Sequence, residues 1–72
     1  MKNTIRIQRA IKEISQEQLA DTLQVSRQTI NAIELKKYTP SLMLAFQMAK
    51  YFNVKIEELF IMEEGDLKGL NI

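Results

Sequence analysis

The apolar residues of this chain recur at intervals of three and four positions, in a series of short segments. Helices shorter than about 12–15 residues are marginal on their own in water, so segments of this kind must be held by packing against each other. No stretch shows the alternation of polar and apolar residues that a sheet-based fold needs. The pattern predicts an all-α fold of five short helices, with at most a marginal β-strand at each end.

Each expected helix has one apolar face. In chain order, the residues predicted to face inward are Ile7, Ala10, Ile11 and Ile14 on the first helix, Leu19, Ala20 and Leu23 on the second, Ile30 and Ile33 on the third, Leu42, Ala45, Met48, Ala49 and Phe52 on the fourth, and Ile56, Leu59 and Phe60 on the fifth. Residues 61–64 are interpreted as a short strand. Residues 65–72, which hold both glycines, are interpreted as a flexible tail. The expected domain therefore spans residues 1–64.

Polar residues mark where these helices begin and end. Ser15 with Gln18 matches the S-x-x-Q capping box, and Ser26 can cap the next helix. Asn53 is placed to end the fourth helix in a left-handed conformation. Two helices have alternative caps, and these are Asn3 or Thr4 for the first helix and Thr39 or Ser41 for the fourth.

The composition excludes several classes of function. The 72 residues include no Cys and no His, so disulfides, thiolate metal sites and most zinc sites are excluded. Most nucleophile and general-base arrangements are excluded for the same reason, and no glycine-rich phosphate loop is present. We therefore expect neither an enzyme nor a cofactor, and no small-molecule ligand is evident. Because no apolar run approaches 18 residues and no signal peptide is recognisable, we expect a cytoplasmic protein without a membrane partner.

The charges are distributed unevenly along the chain. Residues 1–55 hold nine Lys or Arg and four Asp or Glu, whereas residues 56–72 hold one Lys and five Asp or Glu. A basic body with an acidic C-terminal segment indicates a polyanionic partner for the body.

The segment from Gln16 to Glu34 has the layout of a helix-turn-helix. Two short helices with inward apolar residues are separated by a turn of about two residues, which Val25 plugs. A turn this short fixes the crossing of the two helices and leaves the second one protruding.

The outward face of that second helix carries residue types that can read DNA. Arg27, Gln28 and Asn31 lie on it near its N-terminus. Arg matches the hydrogen-bonding edge of guanine, and Gln and Asn match that of adenine. The start of a recognition helix is also the part that reaches base edges in the major groove. We therefore expect these three residues to contact bases of double-stranded DNA.

Residues around the two helices suit contacts to the DNA backbone. Gln16 stands at the first position of the second helix, where free N–H groups and the helix dipole favour a phosphate, and its amide could also brace Gln28. Lys36, Lys37 and Tyr38 follow the recognition helix directly and suit phosphate contacts.

Glu34 lies at the C-terminal end of the recognition helix, where a negative charge is disfavoured. It needs a cationic partner, and Arg9 on the first helix is the candidate. We expect this pair to hold the first helix to the recognition helix.

Apolar residues in and after the fifth helix exceed what so small a body can hide. A surplus of this kind usually marks an interface between proteins. Ile56, Phe60, Ile61 and Met62 are therefore predicted to form a homodimer interface, with completion of the monomer core as the alternative.

The stretches Ser15–Ala20, Val25–Glu34 and Tyr38–Leu42 together resemble the XRE family of helix-turn-helix regulators, which includes the lambda repressor and Cro. The resemblance covers roughly residues 3–62 and is to the short, stand-alone members. It implies a five-helix fold and a homodimer on a palindromic operator. It also implies base contacts by Arg27, Gln28 and Asn31, the Arg9–Glu34 bridge, and phosphate contacts by Gln16, Thr29, Lys36, Lys37 and Tyr38.

The chain departs from the family pattern at two positions. Gln24 in the turn and Lys36 after the recognition helix stand where the family commonly has Gly. Both positions are expected to adopt positive φ, which costs a non-Gly residue about 1 kcal/mol.

The function expected from these features is that of a transcriptional regulator, with repression favoured over activation. The alternative is an antitoxin-type module that binds a partner protein as well as DNA.

Overall fold

Five helices and two very short strands make up residues 1–70, the part of the chain that the computed structural model describes. The elements are, in chain order, β1 (Lys2–Asn3), α1 (Ile5–Lys12), α2 (Gln16–Leu23), α3 (Arg27–Glu34), α4 (Leu42–Phe52), α5 (Ile56–Leu59) and β2 (Phe60–Ile61), with a 3-10 helix at Glu64–Leu67. The five-helix prediction is confirmed, and the two strands form a small sheet.

The sheet brings the two ends of the domain together. β1 and β2 pair antiparallel, with Lys2 opposite Ile61 and Asn3 opposite Phe60. The N–H of Thr4 then donates to the Leu59 carbonyl at 2.9 Å, so α1 starts beside the end of α5. The strand predicted at residues 61–64 therefore lies at 60–61, because β1 offers only two residues for pairing.

The segment predicted to be a tail begins with an ordered turn. The carboxylate of Asp66 accepts a hydrogen bond from the Glu63 N–H at 2.8 Å, within the turn that leads into the 3-10 helix. The last two residues of the predicted tail, Asn71 and Ile72, lie outside the described residues.

The core is formed by the inner faces of all five helices. Its buried members are Ile5, Leu19, Ala20, Ile30, Ile33, Leu44, Met48, Ala49, Phe52 and Leu59. The inward faces predicted for α2 and α3 are confirmed, with Leu23 half-buried against the same cluster.

The apolar face predicted for the first helix is wrong at three of its four residues. Ile7 and Ile11 are 59% and 69% exposed and Ala10 is exposed as well, whereas Ile14 is partly buried and packs against the core. The inner side of α1 instead carries Ile5, which is fully buried, and Arg9, four residues later. Residues four apart share a helix face, so the ion pair of Arg9 and the burial of Ile5 together turn the other apolar stripe outward.

The face predicted for α4 is correct except at its start. Ala45, Met48, Ala49 and Phe52 are buried, but Leu42 is 71% exposed and Leu44 takes its place in the core. Of the two candidate caps, Ser41 is the one used: its hydroxyl accepts from the Leu44 N–H at 3.1 Å.

The first helix lacks a cap at its boundary residue. Thr4 makes no side-chain cap bond, and the Asn3 side chain instead accepts from the Ile5 N–H at 3.3 Å.

Within residues 1–70, four non-glycine residues have positive φ, and three of them end helices. Gln24 (φ 59°) and Lys36 (φ 64°) were predicted, as was Asn53 (φ 57°) at the end of α4, whereas Glu13 (φ 57°) after α1 was not. At Gln24 the N–H groups of Gln24 and Val25 donate to the carbonyls of Asp21 and Ala20, the Schellman pattern that closes a helix. Val25 packs partly buried against the core, as the helix-turn-helix layout requires.

Replacing Gln24 with Gly is expected to stabilise the protein by about 0.5–1 kcal/mol, because Gly adopts positive φ without the clash of a side chain. Chemical denaturation measures the change. Gln47→Gly, on the exposed side of α4, is the matched control and should destabilise by about 1 kcal/mol. A lower denaturation midpoint for Gln24→Gly than for the wild type would contradict the strain assigned to this turn.

Candidate nucleic-acid interface

Each helix of the helix-turn-helix begins at a capping serine. Ser15 opens α2 with a full capping box, in which the Ser15 hydroxyl accepts from the Gln18 N–H at 3.0 Å and the Gln18 side chain accepts from the Ser15 N–H at 2.8 Å. Ser26 opens α3, and its hydroxyl accepts from the Thr29 N–H at 3.1 Å. These bonds fix the first residue of each helix.

The outward side of α3 is polar at its N-terminal end. Arg27, Gln28 and Asn31 are exposed, whereas Ile30 and Ile33 on the other side are buried in the core. The structure therefore brings the three predicted base-contacting residues onto one solvent-facing surface. They are held there by a helix that cannot rotate without exposing its isoleucines.

Arg9 and Glu34 form a two-point ion pair. Arg9 Nε donates to Glu34 Oε2 at 2.6 Å, and Arg9 Nη2 donates to Oε1 at 3.1 Å. Arg9 Nη1 also donates to the Ile14 carbonyl at 3.1 Å, just before α2. The side chains of Arg9 and Glu34 are only 15% and 3% exposed, so the pair is largely shielded from water and joins α1 to the end of α3.

The surroundings of Glu34 favour its ionised form. Burial alone raises the pKa of its carboxyl, but hydrogen bonds from Arg9 and Gln16 and the charges of Arg9 and Arg6 outweigh burial, and the net pKa is lowered. Arg6 was not predicted to take part, and its Nε lies 3.9 Å from Glu34 Oε1. The carboxylate is therefore an acceptor without a hydrogen to donate.

Gln16 does not contact Gln28 as predicted. Its side-chain Nε2 donates to Asn31 Oδ1 at 3.1 Å and to Glu34 Oε1 at 3.0 Å. Asn31 and Glu34 are three residues apart and so lie on the flank of α3 that faces the start of α2. Gln28 lies one turn further from Glu34 than Asn31 does, so a Gln16 amide that binds Glu34 reaches Asn31 instead.

The residues predicted to contact the DNA backbone are accessible to different degrees. Thr29 is partly buried and its hydroxyl shares a 2.8 Å hydrogen bond with that of Ser26. Lys37 and Tyr38 are exposed. Lys36, however, pairs with Glu63, with 3.3 Å between Nζ and Oε1. No local signal predicts this pair, because 27 residues separate its two members.

Asn3 makes a further contact with α3 that the sequence did not indicate. Its side-chain Nδ2 donates to the Ile33 carbonyl at 3.0 Å. The strand β1 thus holds the last turn of α3, where helix carbonyls lack partners within the helix.

The predicted dimer residues divide into two pairs. Ile56 and Phe60 are partly buried and pack against the core, which is the alternative stated for them. Ile61 and Met62 are exposed, at 38% and 60%.

Apolar surface also occurs beside α4, where Ile56 is the only one of the predicted interface residues in the lining of a groove. A groove of about 850 Å³ lies between the end of α2, α4 and α5. Its apolar lining consists of Leu23, Met43, Phe46, Ala49, Tyr51, Val54 and Ile56.

Residues 1–70 contain no group of acidic side chains that could hold a metal ion. None of the helices in that range is both long and apolar enough to cross a membrane.

Comparison with known proteins places this architecture among helix-turn-helix proteins. The family described as helix-turn-helix matches residues 5–59. An uncharacterized HTH-type transcriptional regulator of Methanocaldococcus jannaschii is 56% identical over 66 residues, which is 92% of this chain and 100% of the relative. Another from Bacillus subtilis is 47% identical over 64 residues, 89% of this chain and 97% of the relative. A third, from Archaeoglobus fulgidus, is 45% identical over 69 residues, 96% and 99% of the two chains.

Replacing Glu34 with Gln is expected to lower the free energy of unfolding at pH 7 by about 1.5–3 kcal/mol, because the negative charge and one of the two acceptor oxygens that Arg9 and Gln16 bind are lost. Chemical denaturation of both proteins measures the difference. Since the pKa of Glu34 is lowered on folding, its contribution is fully present above its unfolded value of 4.5 and is lost as the pH falls through the folded value. The difference between the two proteins should therefore shrink in acid. Equal stability at pH 7, or a difference that does not change with pH, would contradict this role.

Proposed function

The chain belongs to the helix-turn-helix family of DNA-binding transcriptional regulators, and on that premise we propose that it represses transcription by binding a palindromic operator as a homodimer. It is a regulator and not an enzyme. The observation that carries the proposal is the surface formed by Arg27, Gln28 and Asn31 on a helix whose other side is buried.

This surface has the chemistry needed to read base pairs. Arg27 and Gln28 occupy the first two positions of α3, the end that enters the major groove in this class of protein. An exposed guanidinium matches the two acceptors of guanine, and an exposed carboxamide matches the donor and acceptor of adenine. The contacts supply sequence discrimination because a wrong base leaves these groups unpaired.

The phosphate contacts come from the start of α2 and the loop after α3. The N–H groups of Gln16 and Glu17, which precede the capped N–H of Gln18 in the first turn of α2, have no earlier helix carbonyl to bind and can donate to a phosphate oxygen. Thr29 and Tyr38 add hydroxyl groups, and Lys37 adds an exposed charge. Lys36 joins them when it exchanges its exposed partner Glu63 for a phosphate, an exchange that costs little because surface ion pairs are weak.

The dimer forms through the end of the domain that carries β2. Ile61 and Met62 supply exposed apolar side chains at this end, and the half-buried Ile56 and Phe60 are proposed to contribute at the margin of the interface. A twofold axis there relates two copies of α3, and centres about 34 Å apart reach successive major grooves on one side of a duplex. Occupying a promoter in this way blocks polymerase.

Replacing Arg27 or Gln28 with Ala is expected to cost about 1–3 kcal/mol of operator binding and to relax specificity at single positions.

Lys37→Ala should weaken binding to all sequences alike and lower the salt slope by about one, because it removes a phosphate contact only. The operator comes from selecting bound duplexes from random DNA, and titrations at several salt concentrations give the affinities. Lys50→Ala, on the exposed side of α4, is the matched control and should change neither quantity. Unchanged selectivity in both Arg27 and Gln28 variants would refute the base contacts.

Replacing Met62 with Asp is expected to convert the dimer to a monomer at micromolar concentrations, because a carboxylate would be desolvated in the interface. Sedimentation equilibrium measures the molecular mass. Ile11→Asp makes the same kind of change at an exposed apolar residue of α1, outside the proposed interface, and should leave the dimer intact. Dissociation by Met43→Asp but not by Met62→Asp would place the interface in the groove that Met43 and Ile56 line instead.

A further inference from the structure

We propose that Gln16 is a positioning residue that decides which atoms of Asn31 face the DNA, so that Asn31 reads a base edge rich in hydrogen-bond acceptors. The inference rests on the proposed function, since it specifies how one of the proposed base-contacting residues discriminates. It follows from the direction of three hydrogen bonds that join Arg9, Glu34, Gln16 and Asn31 in a chain.

The direction of the chain is set at Glu34. Its carboxylate is held by Arg9 in the interior and can only accept hydrogen bonds. The Gln16 side chain, 3.0 Å from Glu34 Oε1, must therefore turn its NH₂ group and not its carbonyl oxygen toward it. Of the two orientations of the Gln16 amide, only one is compatible with this neighbour.

The same NH₂ group then orients Asn31. An amide nitrogen carries two hydrogens, and the second one of Gln16 points to Asn31 Oδ1 at 3.1 Å. Asn31 must present its oxygen to that hydrogen, which turns its own NH₂ group away from α2. Among the described residues, no hydrogen bond uses the Nδ2 group of Asn31, and the residue is exposed.

The atoms available to DNA follow from this orientation. Asn31 offers a free donor group, whereas one of the two lone pairs of its oxygen already accepts from Gln16. A donor is complementary to N7 and O6 of guanine and is mismatched against the N4 amino group of cytosine. The usual pairing of Asn with adenine uses the amide oxygen and nitrogen together, and Gln16 competes for that oxygen. We therefore assign to Asn31 a preference for guanine over cytosine on the strand that it contacts.

Gln16 itself is left without a side-chain hydrogen for phosphate. Both hydrogens of Nε2 are used inside the protein, so contact with the DNA backbone at this position falls to the main-chain N–H. The salt dependence of binding separates the two roles, since a lost phosphate contact changes the salt slope and a lost orienting bond does not.

Selection of bound duplexes from random DNA tests the inference with the full chain. Asn31→Ala identifies the base pair that Asn31 reads, because the variant loses the wild type's sequence preference at that one base pair. At that pair, the wild type should favour guanine over cytosine by about tenfold. Gln16→Ala and the longer Gln16→Met both lack the hydrogens and should reduce the ratio to below about threefold, with an unchanged salt slope. Gln16→Lys supplies only donors, so it should restore the ratio.

Gln47→Ala is the matched control on the exposed side of α4 and should behave as the wild type. Thermal unfolding shows which variants are folded. If either Gln16→Ala or Gln16→Met fails to fold, the other one still provides the test. The inference is overturned, while the proposed function stands, by either of two results. One is a wild-type ratio of guanine to cytosine in both Gln16→Ala and Gln16→Met, and the other is a wild-type preference for adenine or cytosine at this base pair. A wild type that enriches no sequence overturns the proposed function together with it.

Discussion

The carboxylate of Glu34 is the group on which three helices converge. Glu34 is the last residue of α3. Its carboxylate accepts two hydrogen bonds from Arg9 of α1 and a third from Gln16 at the start of α2. A buried carboxylate that lost these partners would remain desolvated and uncompensated, so the arrangement permits little rotation of α3. The same carboxylate also determines how the Gln16 amide is oriented, and through Gln16 it determines which amide atoms Asn31 presents at the surface. Interior electrostatics and the proposed recognition surface are thus connected by direct contacts.

The short sheet has a comparable role at the same C-terminal end of α3. β1 and β2 are only two residues each, too short to be stable alone, but their pairing places Asn3 against the Ile33 carbonyl. The helix is therefore held at its end by a strand and along its flank by α2. The acidic C-terminal segment lies on the same side, where Glu63 pairs with Lys36. The basic body and acidic segment seen in the sequence are in contact in the folded protein.

Local features of the fold could be predicted because their causes are local. Ser15, Ser26 and Asn53 act within one turn of their own positions, and the sequence shows both partners of each interaction. Errors arose where a distant residue decides the outcome. The apolar stripe of Ile7 and Ile11 has good helical spacing, yet it faces outward because Arg9 must reach Glu34, 25 residues away in the sequence. The brace between Gln16 and Asn31 escaped prediction for the same reason.

The sequence alone determined the number of helices, most of their ends and the polar side of α3. Those properties depend on capping, on apolar spacing and on backbone conformation, which neighbouring residues control. Only the tertiary structure decided which side of α1 is buried, where the second strand lies, and which atoms Gln16 and Asn31 present. These properties depend on groups that only folding brings together. The carboxylate of Glu34 determines both of them, because it orients the Gln16 amide and draws the Arg9 side of α1 inward.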